Sequence, residues 1–204
     1  LIKQAEEAGK LEPLKLLTSK DRPEDGKLVP RDLPPLRQKM LGALDAYTQR
    51  LPKSPERDTM AFRAAQMLYA HDRFEEARER FASIVAETEK DELASSSINL
   101  IIESYLITKD WAQVELWSRK LAGLTRDPQL KKSLKAFELG ARFNRASNLM
   151  AAGVEADKAG RQDEANKNLD EAAAEFVRLV DDDPKGDNSD KALNNAAYCF
   201  TLSK

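Results

Sequence analysis

Very few side chains in this sequence are equipped for chemistry. Its 204 residues include one histidine and one cysteine, so an internal disulfide and any mechanism needing two imidazoles are excluded. His71 follows Tyr69-Ala70 at a break in the apolar pattern, with no second His or Cys nearby to complete a metal site; it reads as a turn histidine. Cys199 stands in Ala196-Ala197-Tyr198-Cys199-Phe200, an apolar helix face, with no histidine to serve as its base, and reads as a buried structural thiol. Residues 181–187 (DDDPKGD) invite a calcium-loop reading, with Gly186 in the sixth place. Lys185 then falls on the fifth place and Ala192 on the twelfth, where a calcium loop wants an acid and a glutamate, so the segment reads as a solvated loop with capping acids. Glu103 and Glu115 sit among apolar residues and are the pair from which a general acid and base could be drawn. Nothing else supports that use, and solvated or groove-facing carboxylates are the simpler reading. No Gly-rich phosphate loop, GxSxG or CxxC is present. The expectation is a non-enzymatic chain with no cofactor and no metal.

The elements that would position these residues are helical. Composition is 41% hydrophobic and 33% charged, with 33 basic against 35 acidic residues and a net charge of -2. That supports a core and gives no basic excess for nucleic acid. No run of 18 apolar residues occurs, so direct membrane insertion is not expected. Residues 1–17 look weakly helical, broken by Gly9 and Pro13. Residues 18–35, with Pro23, Pro30, Pro34, Pro35 and Gly26, read as an extended linker or surface loop, so the chain is expected to divide into 1–35, a weak helix and Pro-rich linker, and a helical repeat domain over 36–204. From Leu36 on, apolar residues recur at helical spacing (Leu36, Met40, Leu44, Tyr47). Breaks at 51–55, 71–72, 89–92, 109–110, 125–128, 159–161 and 181–189 predict helices at about 36–51, 57–70, 74–88, 92–108, 111–124, 129–159, 162–182 and 189 to the end. Pro128 suits a helix first turn and Gly160 a helix C-terminus. Short loops between such helices predict antiparallel hairpins. The start at Leu1 and the end at Lys204 inside a helix read as a piece of a longer array, cut in mid-repeat.

An internal repeat organises these hairpins. Ala43 is followed by Tyr47 four residues on and Pro55 eight further; Ala172, Phe176 and Pro184 repeat those spacings, and Ala77 and Phe81 repeat the first. Ala43 to Ala77 is an interval of 34 residues. A small residue lets two helices approach, and an aromatic one turn later on the same face fills the gap to the next hairpin. Upstream of Ala77 lie Ala61, Ala64, Ala65 and Leu68, with Phe74 at the turn; upstream of Val114 the same offsets give Ile98, Ile101, Ile102 and Tyr105, with Trp111 at the turn. On these residues the chain resembles the tetratricopeptide repeat (TPR) family over roughly 36–204. The resemblance implies an all-α, right-handed solenoid of about four helical hairpins, the last incomplete. Val114 and Ser118 depart from the alanine and aromatic, Glu89 stands in place of a usual Pro, and Ala77 to Val114 spans 37 residues. The hairpin turning at Gly160 fits two small-residue registers, Gly153 with Ala165 and Ala146 with Ala172, which predicts an elongated hairpin.

In TPR proteins the first helix of each hairpin lines the concave surface. The resemblance thus implies a protein- or peptide-binding groove formed by Phe62, Gln66, Tyr69, Asn99, Glu103 and Leu106. Packing of Phe62 and Tyr69 against neighbouring repeats is the competing reading. The Lys-Asn-Arg carboxylate clamp of chaperone-binding TPR domains is not matched by Phe62, Gln66 and Glu103. Residues 119–145 carry eight basic and two acidic side chains, and residues 155–190 twelve acidic and five basic. In a hairpin turning near Gly160, residue 145 lies opposite about residue 176, so the two segments are expected to neutralise one another; the alternative is two docking patches. The expected function is a protein-interaction scaffold in a larger bacterial assembly, the alternative a helical accessory domain of an enzyme. Residues 184–200, with Asp190, Ala192, Ala196 and Tyr198, resemble envelope-associated TPR arrays, which implies the periplasm or the outer membrane. An unpaired terminal repeat offers a surface for self-association.

Overall fold

A computed structural model describes residues 12–22 and 28–203. Among these it holds eight α-helices and no strand. They are α1 (Pro35–Arg50), α2 (Arg57–Tyr69), α3 (Phe74–Glu87), α4 (Asp91–Ile107), α5 (Trp111–Leu124), α6 (Pro128–Lys158), α7 (Gln162–Asp182) and α8 (Ser189–Leu202). Each boundary lies within two residues of the one read from apolar spacing and turn residues. The chain forms two compact units, residues 1–109 and 110–204.

In the first unit α1 packs on α2, α2 on α3 and α3 on α4, and α2 also touches α4. Ala64, Ala65 and Leu68 of α2 and Ala77 and Phe81 of α3 are fully buried, as is Ile101 of α4. Phe81 is flanked by Phe62 at 5.5 Å and Tyr69 at 6.5 Å between ring centroids, and Tyr69 meets Phe74 edge-on at 5.1 Å. Ala77 and Phe81 thus do what their spacing implies: the small residue admits the neighbouring helix and the ring fills the space beside it. The first copy of the pair does not. Ala43 is exposed and Tyr47 half-buried, its hydroxyl 2.6 Å from Ser54 Oγ. α1 buries little apolar surface and is tied to α3 partly through Asp45, whose carboxylate takes Arg80 in a bidentate pair. The α2–α3 turn closes on Asp72, at φ 61°, a left-handed conformation that aspartate tolerates better than most residues.

In the second unit α6 and α7 form a long hairpin. Their 31 and 21 residues correspond to about 46 and 31 Å. Asp127 caps α6 by accepting from Gln129 N–H at 2.8 Å, with Pro128 in the first turn. The turn between them ends α6 as glycine-capped helices end: Gly160 is at φ 72° and Arg161 N–H reaches back to the Ala156 carbonyl at 2.9 Å. Both small-residue registers are used. Gly153 and Ala165 form one close approach, where a Cβ on Gly153 would come within 2.7 Å of Leu169. Ala146 and Ala172, fully buried, form the other, inside a cluster with Leu169, Phe176, Ala192, Ala196 and Cys199 that seats α8. Phe143 of α6 stands edge-on to Phe176 at 5.5 Å.

Candidate functional site

The groove residues expected on α2 and α4 repeat along their helices at the same intervals, four then three, and the two helices touch. Asn99 is exposed; Phe62, Gln66, Glu103 and Leu106 are half-buried. Tyr69 departs from the expectation. It is 1% exposed and belongs to the core, because the rings of Phe74 and Phe81 lie against it. Phe62 likewise packs its ring against Phe81.

What meets this strip is the chain itself. Residues 12–18 carry no regular secondary structure, with Thr18 in an extended backbone conformation, and lead into a single 3-10 turn over Ser19–Asp21. Asp21 closes that turn by accepting from Thr18 N–H at 2.8 Å and from its hydroxyl at 2.7 Å, bonds that hold the Asp21 carboxyl below its usual range. Just before the turn, the Leu17 carbonyl accepts from the Tyr69 hydroxyl at 3.1 Å, and the Ser19 N–H donates to Glu103. Just after it, Arg22 pairs with Asp72 and lies over the Phe74 ring, 5.7 Å from the centroid. Arg31 joins from further along: its Nε is 3.0 Å from Asp72, its Nη2 donates to the Ala70 carbonyl at 2.6 Å, and its N–H donates to the His71 carbonyl at 2.9 Å. Arg37 of α1 donates to the Glu12 carbonyl, and Leu33 is buried. Between this segment and the α2–α3 turn lies a cavity of about 340 Å³, lined in part by Leu14, Leu17, Arg31 and His71.

Of the linker or surface loop expected over 18–35, the described residues 18–22 and 28–34 are, with 12–17, a docked strap. The expected weak helix over 1–17 is absent from residues 12–17; its remainder lies outside the described residues. Pro13 supplies no N–H, and the Leu17 carbonyl and Ser19 N–H take partners outside the segment. Burial, with the Glu103 charge beside it, pushes the Tyr69 phenol well above its ordinary value, against an opposing effect of Arg22. Tyr69 thus remains a hydrogen-bond donor across the ordinary pH range. Asp72, Arg22 and Arg31 are the residues that sequence reasoning missed. Asp72 was visible only as a polar residue in a turn, and no local pattern joins it to arginines 50 and 41 positions away.

The other expected sites resolve simply. His71 is a turn residue, its Nδ1 2.8 Å from the Met67 carbonyl. Cys199 is buried, which raises its thiol. Ser189 and Gly186 bond back to the Asp183 carbonyl and close the 181–189 loop on itself. Among the described residues no group of three His, Cys, Asp or Glu side chains could hold a metal ion, and no helix is long and apolar enough to cross a membrane. The charged segments of the second unit do pair, with altered partners. Arg142 bridges Glu175 at 2.6 Å and Asp182, linking α6 to α7 as expected. Arg145 turns instead to Glu115 of α5, while Arg119 takes Glu138 at 2.9 Å.

Comparison with protein-family models, with curated proteins and with solved structures finds no match to this chain.

Proposed function

We propose that this chain is a non-catalytic protein-interaction scaffold, a TPR-like right-handed solenoid of helical hairpins that serves within a larger bacterial multiprotein assembly. The carrying observation is chemical: the strip formed by α2 and α4 engages a polypeptide segment through its backbone. Tyr69 donates to a carbonyl and Glu103 accepts an N–H, the two groups any peptide presents. The repeat spacing of Ala77–Phe81 and Ala172–Phe176, the successive packing of helices within each unit and the i to i+2 contact of α2 with α4 support the solenoid reading. The resemblance of residues 184–200 to envelope-associated arrays favours the periplasm or the outer membrane as the place of assembly.

The test is affinity capture from a bacterial envelope fraction with the full chain, with captured proteins identified by mass spectrometry and re-examined as purified components. At least one partner should bind about tenfold more weakly to Glu103→Lys, which reverses the charge that receives the peptide N–H. If no captured protein responds to this substitution, the strip is not the binding surface.

A further inference from the structure

We propose that residues 12–22, assisted by Arg31, are a built-in pseudo-ligand of the α2–α4 strip. The partner segment that displaces them offers a backbone carbonyl and N–H spaced as theirs and carries an arginine, placed to reach Asp72. This inference rests on the scaffold reading and adds the chemistry of its partner and the means of its regulation.

The reasoning starts from Asp72. Its side chain is 8% exposed, and both of its carboxylate oxygens are taken by strap arginines, Arg22 on one and Arg31 on the other. A carboxylate that deep is costly without a cation. Whatever replaces the strap must therefore bring a positive charge to the same place or leave Asp72 unpaired. The ring beneath sharpens the choice. Arg22 lies over Phe74, and a planar, weakly hydrated guanidinium can stack on a ring face while its N–H groups reach a carboxylate; an ammonium loses the planar stack. Tyr69 and Glu103 fix the rest. They demand a carbonyl and an N–H from a backbone lying across both helices, spaced as Leu17 and Ser19 are. Such backbone bonds carry no side-chain preference, so the arginine is the selective element.

The strap also sets the threshold for binding. A tethered segment competes at an effective concentration in the millimolar range, so even a weak internal contact excludes weak external ligands. Only a partner with more contacts along the strip, or one presented at several points, displaces it. Asn99 and Leu106, which flank Glu103 on α4 and take no part in the strap contacts described, are available for those additional contacts.

The experiment uses full-length chains and a fluorescent peptide with the sequence of residues 12–22. Fluorescence anisotropy compares wild type with Arg22→Ala/Arg31→Ala, which loosens the strap and leaves the strip intact. A second strap variant, Ser19→Pro, removes the N–H given to Glu103 while keeping both arginines, in case the first does not fold. The strap variants should bind the peptide about tenfold or more tightly than wild type. Adding Asp72→Asn to a strap variant should remove that gain, and a peptide with lysine in place of Arg22 should bind several-fold more weakly. Equal binding to wild type and strap variants, indifference to Asp72→Asn, or no binding to either strap variant at about 1 mM peptide overturns the proposal. A partner that depends on Glu103 while the peptide binds all chains alike would remove the strap and leave the scaffold standing, so the two failures are distinguishable.

Discussion

Glu138 and Asp72 illustrate how single carboxylates are held in this fold. Glu138 is only 8% exposed. Burial alone would raise its carboxyl, but hydrogen bonds and charge from Arg119 and Lys135 outweigh burial and hold it below its ordinary value of 4.5. The unfolded chain therefore takes up this proton at a higher pH than the folded chain does. The stabilising contribution is complete above about pH 4.5 and is lost as pH falls through the lower folded value. Urea midpoints measured from pH 6 down to pH 3 should decline, and Glu138→Gln should decline less steeply over the same window. Identical slopes for the two chains would remove Glu138 as a source of acid sensitivity. Asp72 is likewise a buried carboxylate paired with cations, and differs in that its two arginines come from the strap.

Helices were legible in the sequence because each carries its own signal. Pro128 and Asp127 mark a start, Gly160 marks a stop, and apolar residues at three and four spacing mark the buried face. The two small-residue registers of the α6–α7 hairpin were legible for the same reason, and both prove to be close approaches. That gives a paired prediction. Gly153→Ala would set a Cβ 2.7 Å from the buried Leu169 and should cost about 1–3 kcal/mol. Gly140→Ala, in the same helix, meets nothing within 4 Å and should gain about 0.5–1 kcal/mol from helix propensity. Chemical denaturation of the two variants checks both signs; a neutral Gly153→Ala would mean the helices are further apart than described. Less legible was α1. Its Ala43–Tyr47 pair has the repeat spacing, yet Ala43 is exposed, because spacing identifies a face and does not establish that a neighbour covers it. For the strip on α2 and α4 the resemblance implied a groove, with packing of Phe62 and Tyr69 against neighbours as the competing reading; what encloses the Tyr69 ring is Phe74 and Phe81 in another helix, which spacing along α2 alone does not specify.

At the scale of the whole chain, composition shows one histidine, one cysteine and a nearly balanced charge. It did not disclose that residues 12–22 and 28–34 before α1 are docked, because docking depends on ion pairs spanning 50 and 41 residues, which leave no local periodicity. Prolines there lower the entropy lost when the segment is ordered, so the composition that reads as a linker equally suits a strap. The central claim is that the α2–α4 strip holds peptide backbone and that the chain's own segment fills it. Site-resolved hydrogen exchange of the Ser19 amide in the wild-type chain tests this most directly, since that N–H is given to Glu103 across 84 residues of sequence. The account predicts exchange slowed by about tenfold or more relative to the free 12–22 peptide, with the protection lost in Arg22→Ala/Arg31→Ala. Exchange of the Ser19 amide at the rate of the free peptide would contradict it.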